Sequence, residues 1–247
     1  MAGYKKNLDH KKYFDKIASH YSDDNKISIE FLNRLRMASS PYIRGAVLDI
    51  GNGGVICFDY RKASSITLAD IAVDLLKHLK VVEKKKLRPV NSGKIKCIEA
   101  NVMKLPFPKN SFDVVILFNV AHHLSVPSLK DTLVNIETAF KEISRVLRKD
   151  GVFLLSDNTP ALLVKLLFDP SFEFFYWLLS RFNTPLPYFL SLKQIKHLLG
   201  KSGFVIKKAQ NIKRDKKAYQ PLLPWISPPG WLWDIILGNK FFVVFKK

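Results

Sequence analysis

Between residues 46 and 157 short apolar runs alternate with longer stretches in which apolar residues recur every three or four positions. "AVLDI" (46–50) reads as a strand, and "GGVICFDYRKA" (53–63) as a helix opening on glycines. "SITLAD" (65–70) is a second strand, followed by "IAVDLLKHLKVVEKKK" (71–86) with helical spacing. "KIKCIEA" (94–100) is a third strand, and "FDVVILFNV" (112–120) a fourth, apolar enough to be buried on both faces. "SLKDTLVNIETAFKEISRVLRK" (128–149) predicts a long amphipathic helix stopped by Asp150-Gly151, and "GVFLLSD" (151–157) a fifth strand. Strand and helix in alternation imply an α/β fold, a doubly wound and mostly parallel sheet with right-handed crossovers.

After Asp157 the rhythm changes. "PALLVKLLFDPSFEFFYWLLSRFNTPLPYF" (160–189) is aromatic-rich and broken by prolines. "SLKQIKHLLGKSGFVIKKAQ" (191–210) resumes helix and strand, with Ser191 as N-cap. A second irregular stretch precedes the final strand "KFFVVFKK" (240–247). The expected organisation is one domain over 1–247. It comprises a helical lead-in (1–45), a core (46–157), and two insertions, 158–190 and 211–238, that cap the carboxyl ends of the strands.

The glycines of "VLDIGNGGV" (47–55) stand at the carboxyl end of the first strand, where backbone approaches a ligand closely. Asp70 closes the second strand nineteen residues after Gly51 (70 − 51), the position from which a carboxylate accepts both ribose hydroxyls. The pair points to an adenosine-type nucleoside. "VLDIGNGG", "ITLADIAVDLL", "EANVMKLPFPKNSFDVVILFNVAHHL" and "EISRVLRKDGVFLLSD" resemble the successive motifs of class I S-adenosylmethionine-dependent methyltransferases. The likeness is to the methyltransferase type 11 group, which includes ubiquinone and menaquinone C-methyltransferase-like proteins. It covers roughly residues 13 to 157, and more loosely "SLKQIKHLLGKSGFVI".

The resemblance implies a Rossmann-like seven-stranded sheet and S-adenosylmethionine as cofactor. It implies that Asp49, Gly51 and Gly53 line the methionine end, that Asp70 holds the ribose, and that Asn101 and Val102 meet the adenine. It places the Leu117 and Phe118 backbone at the methionine amino group. Relatives carry a third spaced glycine where this chain has Gly54-Val55, which implies an altered turn. His123 and His122, after the fourth strand, and Asp157, at the end of the fifth, are the candidate general bases. The alternative for one of the paired histidines is structural packing, as it is for Tyr13 and Tyr21.

Composition narrows the partners. The charge is +19, distributed as 9 basic against 5 acidic residues over 1–45, 17 against 12 over 46–157, and 14 against 4 over 158–247. Such a field favours polyanions or an anionic membrane surface. Lys213, Arg214, Lys216 and Lys217 form the basic cluster on the expected rim, next to Trp225, Trp231 and Trp233; the "EKKKLRP" cluster lies at the opposite edge. Trp beside Lys and Arg suits a membrane interface. The expected acceptor is therefore small and hydrophobic: a lipid, quinone or phenol. RNA held by the basic rim and a small polar metabolite stay open as alternatives, as does a cofactor-binding subunit without turnover.

Cys57 and Cys97 show no disulfide or zinc spacing, and no metal is expected. A Walker loop and the Asn-Pro-Pro-aromatic tetrapeptide of amide and amine methylation are absent from the sequence. "LPFP…SFDVV" argues against a dehydrogenase on the same glycine turn. The N-terminus has no apolar signal core, and no uncharged apolar run reaches the ~18 residues of a membrane span. A cytoplasmic location is expected, peripheral to a membrane at most; the oligomeric state is open.

Overall fold

The computed structural model describes residues 11, 13–16, 29–77, 80–81, 95–182, 186–213 and 237–247. A seven-stranded sheet has the order β5-β3-β1-β6-β7-β9-β8, built from β1 (Gly45–Ile50), β3 (Ala63–Asp70), β5 (Ile95–Glu99), β6 (Phe112–Phe118), β7 (Leu147–Pro160), β8 (Phe204–Asn211) and β9 (Leu237–Lys246). β5, β3, β1, β6 and β7 are mutually parallel; β9 runs antiparallel to both β7 and β8. The order reverses at β1, with β3 on one side and β6 on the other. This is the switch point at which an open α/β sheet leaves a crevice beyond its strand ends.

Period-two alternation along the central strands feeds two cores, one on each face. Leu48 and Ile50 of β1, Val115 and Leu117 of β6, and Phe153 and Leu155 of β7 enter one core with Phe140 and Ile143 of α3 (Leu129–Val146). Val47, Val114, Ile116, Val152 and Leu154 enter the other with Phe31, Leu32 and Leu35 of α1 (Ile29–Ser39). Both faces are apolar because both are covered, which is why these strands read as continuous apolar runs.

The expected helix over 53–63 is absent. A two-residue strand β2 (Val55–Ile56) pairs with β4 (Lys80–Val81), and Val55 to Phe58 and Tyr60 are all buried. Chain length explains this. Only residues 51–62 link Ile50 to Ala63, and β3, of eight residues, spans about 26 Å. A helix over 55–62 would rise only about 12 Å, too little to return alongside it. The connection is therefore extended, and its β-branched and aromatic residues suit that state. For the next segment the helix is also shorter than expected: α2 covers Val73–Lys77, and β4 begins at Lys80.

α3 also ends early, at Val146 and not at Lys149. Leu147 N–H bonds back to Ile143 O, and Leu147 pairs with Phe112 as the first residue of β7. β7 then continues past Asp157 to Pro160. Next come α4 (Leu162–Ser180) and α5 (Leu192–Lys201). Ser191 caps α5 as expected: its Oγ accepts from Gln194 N–H and the Gln194 side chain accepts from Ser191 N–H. α4 is fastened by a buried network. Lys165 Nζ lies 2.6 Å from Asp169 Oδ1, donates to Phe189 O at 3.0 Å, and sits 3.8 Å above the Tyr188 ring. Tyr188 donates to Asp169 and accepts from Gln194 Nε2, tying α4 to α5. Of the second expected cap, residues 214–236 lie outside the described residues, with Arg214, Lys216, Lys217 and all three tryptophans of that stretch.

Candidate active site

The glycine turn is built by sterics. Gly51 sits at φ +67°, and a Cβ there would lie 2.2 Å from Val120 Cγ2, so only glycine lets the end of β1 pass the segment after β6. Its N–H bonds to Ala69 O at 2.7 Å. Gly53, at φ +61°, donates its N–H to Asp70 Oδ2 at 3.0 Å, and Ala72 N–H donates to Asp70 Oδ1 at 3.0 Å. Burial raises the Asp70 carboxyl above the ordinary range, opposed by these backbone donors. Each oxygen has accepted one N–H and retains capacity for a ligand hydroxyl.

Around this turn lies a cavity with about 620 Å³ of empty space, mouth included. Of the expected cofactor residues it brings together Gly51, Gly53, Asp70, Asn101 and Val102, and of the expected catalytic residues His123. Phe14, Ile50, Ile71, Leu75, Ala100, Asn119, Val120 and Leu124 complete the wall. The Asn101 side-chain oxygen accepts from Met103 N–H at 2.9 Å. Like the Asp70 oxygens it has accepted one N–H and retains a second lone pair, while the NH₂ supplies donor capacity.

Asp49, Leu117 and Phe118 do not line this cavity. Asp49 shares the side of β1 with Val47, where it accepts from Tyr60 Oη at 2.5 Å and from Asn52 Nδ2 at 2.7 Å. It braces the turn from behind. Leu117 is fully buried, and Phe118 packs between Phe31 and Phe58, at ring-centroid distances of 6.2 and 5.7 Å. The wall is formed instead by the next two residues. Asn119 adopts φ +54° and its N–H bonds to Ser156 O at 2.8 Å. Asparagine tolerates this left-handed conformation better than most residues. That tolerance is the signal in "LFNV" for a turn where the apolar run alone predicts continued strand.

His122 and Asp157 do not line the cavity either; they support the residue that does. His122 Nδ1 is 2.6 Å from Asp157 Oδ1, and His122 N–H donates to Asp157 Oδ2 at 3.2 Å. A carboxylate at Nδ1 holds a proton there and fixes the ring orientation. The His122 ring lies against Phe189, centroids 4.8 Å apart, and against His123 at 4.0 Å. The pair pins the short 3₁₀ turn Ala121–Leu124 to β7. His123 then meets the cavity with Phe14 edge-on at 5.0 Å. Tyr13 packs edge-on against Phe14; Tyr21 lies outside the described residues. Of the rim lysines, Lys213 is described, and its carbonyl accepts from Arg34 at 2.8 Å.

Burial lifts the Asp49 carboxyl to about 6, countered by the Tyr60 and Asn52 hydrogen bonds. Because the folded value exceeds the unfolded one, the stability this group contributes is complete below the unfolded pKa of about 3.9 and is lost as pH rises through 6. Asp49→Asn cannot ionise. In urea unfolding, wild-type stability relative to Asp49→Asn should fall by about 2 kcal/mol between pH 4 and 7 and then level off. A difference constant with pH would refute this account of the turn.

Residues 48–155 match the family described as "Methyltransferase domain". The uncharacterized methyltransferase YcgJ of Bacillus subtilis is 28% identical over 149 residues, 59% of this chain and 53% of that protein. A sterol 24-C-methyltransferase of Gibberella zeae is 40% identical over 62 residues, 25% of this chain and 14% of that one. Geranyl diphosphate C-methyltransferase of Streptomyces coelicolor, solved with S-adenosyl-L-homocysteine, superposes with a TM-score of 0.57 at 11% identity, over 87% of this chain and 77% of that one. The chain spans about half the length, or less, of the curated relatives it matches. The glycine turn, the acid closing β3 and the parallel sheet order agree with these likenesses. From residue 48 to 155 the chain is a methyltransferase domain of the class I, S-adenosylmethionine-dependent family.

Proposed function

We propose that the protein transfers the methyl group of S-adenosylmethionine to a small hydrophobic acceptor of the lipid, quinone or phenol class. The observation that carries this reading is the wall around His123. Phe14 stands edge-on to its ring, and Val120 and Leu124 flank it, so the titratable group on the cavity wall sits among apolar surfaces. The likeness to a sterol C-methyltransferase and to a geranyl diphosphate C-methyltransferase supports the same acceptor class.

The cavity fits the cofactor. The cradle at Gly51 admits no side chain, and the Asp70 oxygens retain acceptor capacity beside it. Behind the turn, the Asn52 side-chain oxygen is buried with no hydrogen-bond partner among the described residues. Asp70 would hold the ribose, the Gly51 and Gly53 backbone the methionine end, and Asn101 and Val102 the adenine. The bound cofactor supplies an electrophilic methyl group on a sulfonium. Methyl displacement is in-line, so the residues act by orienting the acceptor and excluding water. Where the acceptor must lose a proton, His123 would take it; its ring packs against His122, which Asp157 holds from behind.

Purified protein incubated with methyl-labelled S-adenosylmethionine and separate lipid, quinone, phenol and RNA fractions tests the reading. Label should enter the organic phase. Label confined to RNA or to polar metabolites would overturn the acceptor class, and absence of cofactor binding in calorimetry would overturn the cofactor. Asp70→Asn should weaken cofactor binding by about 10- to 100-fold, the cost of losing a charged hydrogen-bond acceptor. An unchanged affinity would remove Asp70 from the ribose. His123→Ala should lower kcat by about 10²- to 10⁴-fold while cofactor affinity stays within about threefold. A fall in affinity without a fall in kcat would make His123 a binding residue only.

A further inference from the structure

α4 carries its apolar residues on the side away from the protein. Leu162, Leu163, Leu166, Leu167, Phe174 and Trp177 are between 51% and 78% exposed. At 100° per residue they fall within an arc of about 140°. Lys165, Phe172 and Tyr176 form the buried arc on the other side. The helix thus turns a lysine and its Asp169 partner inward and presents leucine and aromatic rings outward. A surface helix of a globular domain has the opposite arrangement. Glu173 falls within the same arc, its carboxylate accepting from Leu129 N–H at 3.1 Å, and the apolar residues around it form a patch of the kind that marks an interaction site.

We propose that this face docks on an anionic lipid bilayer, with α4 lying in the plane of the headgroups. Three observations identify the occupant. Arg181 falls within the apolar arc and its guanidinium lies 4.5 Å over the Trp177 ring, a cation and an indole side by side at one end of a leucine-rich face. Side chains of this kind place their apolar bodies among acyl chains and their charge among headgroups. The charge is complementary to acidic lipid: residues 158–247 hold 14 basic against 4 acidic residues, and α5 exposes Lys193, Lys196 and Lys201. Finally, the helix is joined directly to a strand that supports the site. α4 starts two residues after β7 ends, and β7 carries the Asp157 that supports His122 behind the cavity wall. Among the described residues no helix is long and apolar enough to cross a membrane, so α4 rests on the bilayer. The proposal extends the hydrophobic-acceptor reading by stating where such an acceptor is met.

Flotation of the full chain with vesicles tests it. The protein should co-float with vesicles containing phosphatidylglycerol and phosphatidylcholine, and much less with phosphatidylcholine alone. Leu163→Glu with Leu167→Glu should reduce the bound fraction by on the order of tenfold or more. Calorimetric binding of S-adenosylmethionine, within about twofold of wild type, would show that the variant is folded. Failure to float with anionic vesicles would overturn the proposal, as would flotation unaffected by the double substitution. It would also fall if light scattering shows a dimer that the substitution dissociates, because a second copy would then be the occupant. Flotation that appears only after residues 214–236 are deleted would make that segment the occupant. The assay requires no turnover. Flotation without methylation of any apolar acceptor would sink the acceptor reading alone, and methylation of a soluble apolar acceptor by a protein that does not float would sink this one alone.

Discussion

The Asp70 carboxylate is the clasp on which the site depends. It takes Gly53 N–H on one oxygen and Ala72 N–H on the other, and so joins the turn after β1 to the turn after β3. Parallel strands end side by side without any covalent reason for their exit turns to stay together. A buried acceptor with two backbone donors supplies that reason, because breaking either bond would strand a polar group away from water. The same group retains the capacity that a sugar diol needs. The residue that shapes the cavity is therefore the residue expected to read its ligand.

Behind this clasp the protein uses two further buried polar groups in supporting positions. Asp49, held by Tyr60 and Asn52, braces the glycine turn from the opposite side of β1. Asp157, paired with His122, fixes the 3₁₀ turn that carries His123. In each case a polar residue next to a cavity residue holds it in place from outside the cavity. Buried polar groups with satisfied partners rigidify their surroundings, and a methyl displacement needs rigidity more than it needs acids and bases.

Much of this was legible in the sequence where periodicity had one physical cause. The five parallel strands followed from short apolar runs, that of β6 buried on both faces, and Ser191 followed from its place just before a helical run. The glycines and Asp70 were visible because their spacing reflects a strand-turn-strand path. The helix expected after Gly54 follows from residue types alone, and residue types do not carry the constraint that twelve residues must climb back along an eight-residue strand. Asp49 and the Leu117–Phe118 backbone, which the resemblance puts at the methionine end, stand behind the cavity wall, because the side of β1 on which Asp49 falls and the left-handed turn at Asn119 bring Gly51, Asn119 and Val120 to the wall. The inward lysine and outward leucines of α4 are invisible to a composition count, since either face of an apolar helix accounts for the same residues.

The extended path from Gly54 to Lys62 also acts as an electrostatic filter. In a dinucleotide fold the pyrophosphate is gripped by the positive end of a helix that starts at the glycine turn. Here no helix starts at that turn, so its partial positive charge is missing. At the turn itself, Asp70 lines the crevice and Asp49 lies behind it, and both carboxyls disfavour an incoming phosphate whenever they are charged. A cationic sulfonium meets no such opposition. By leaving out one turn of helix, the chain tilts a nucleotide-type crevice away from phosphorylated ligands and toward a positively charged one.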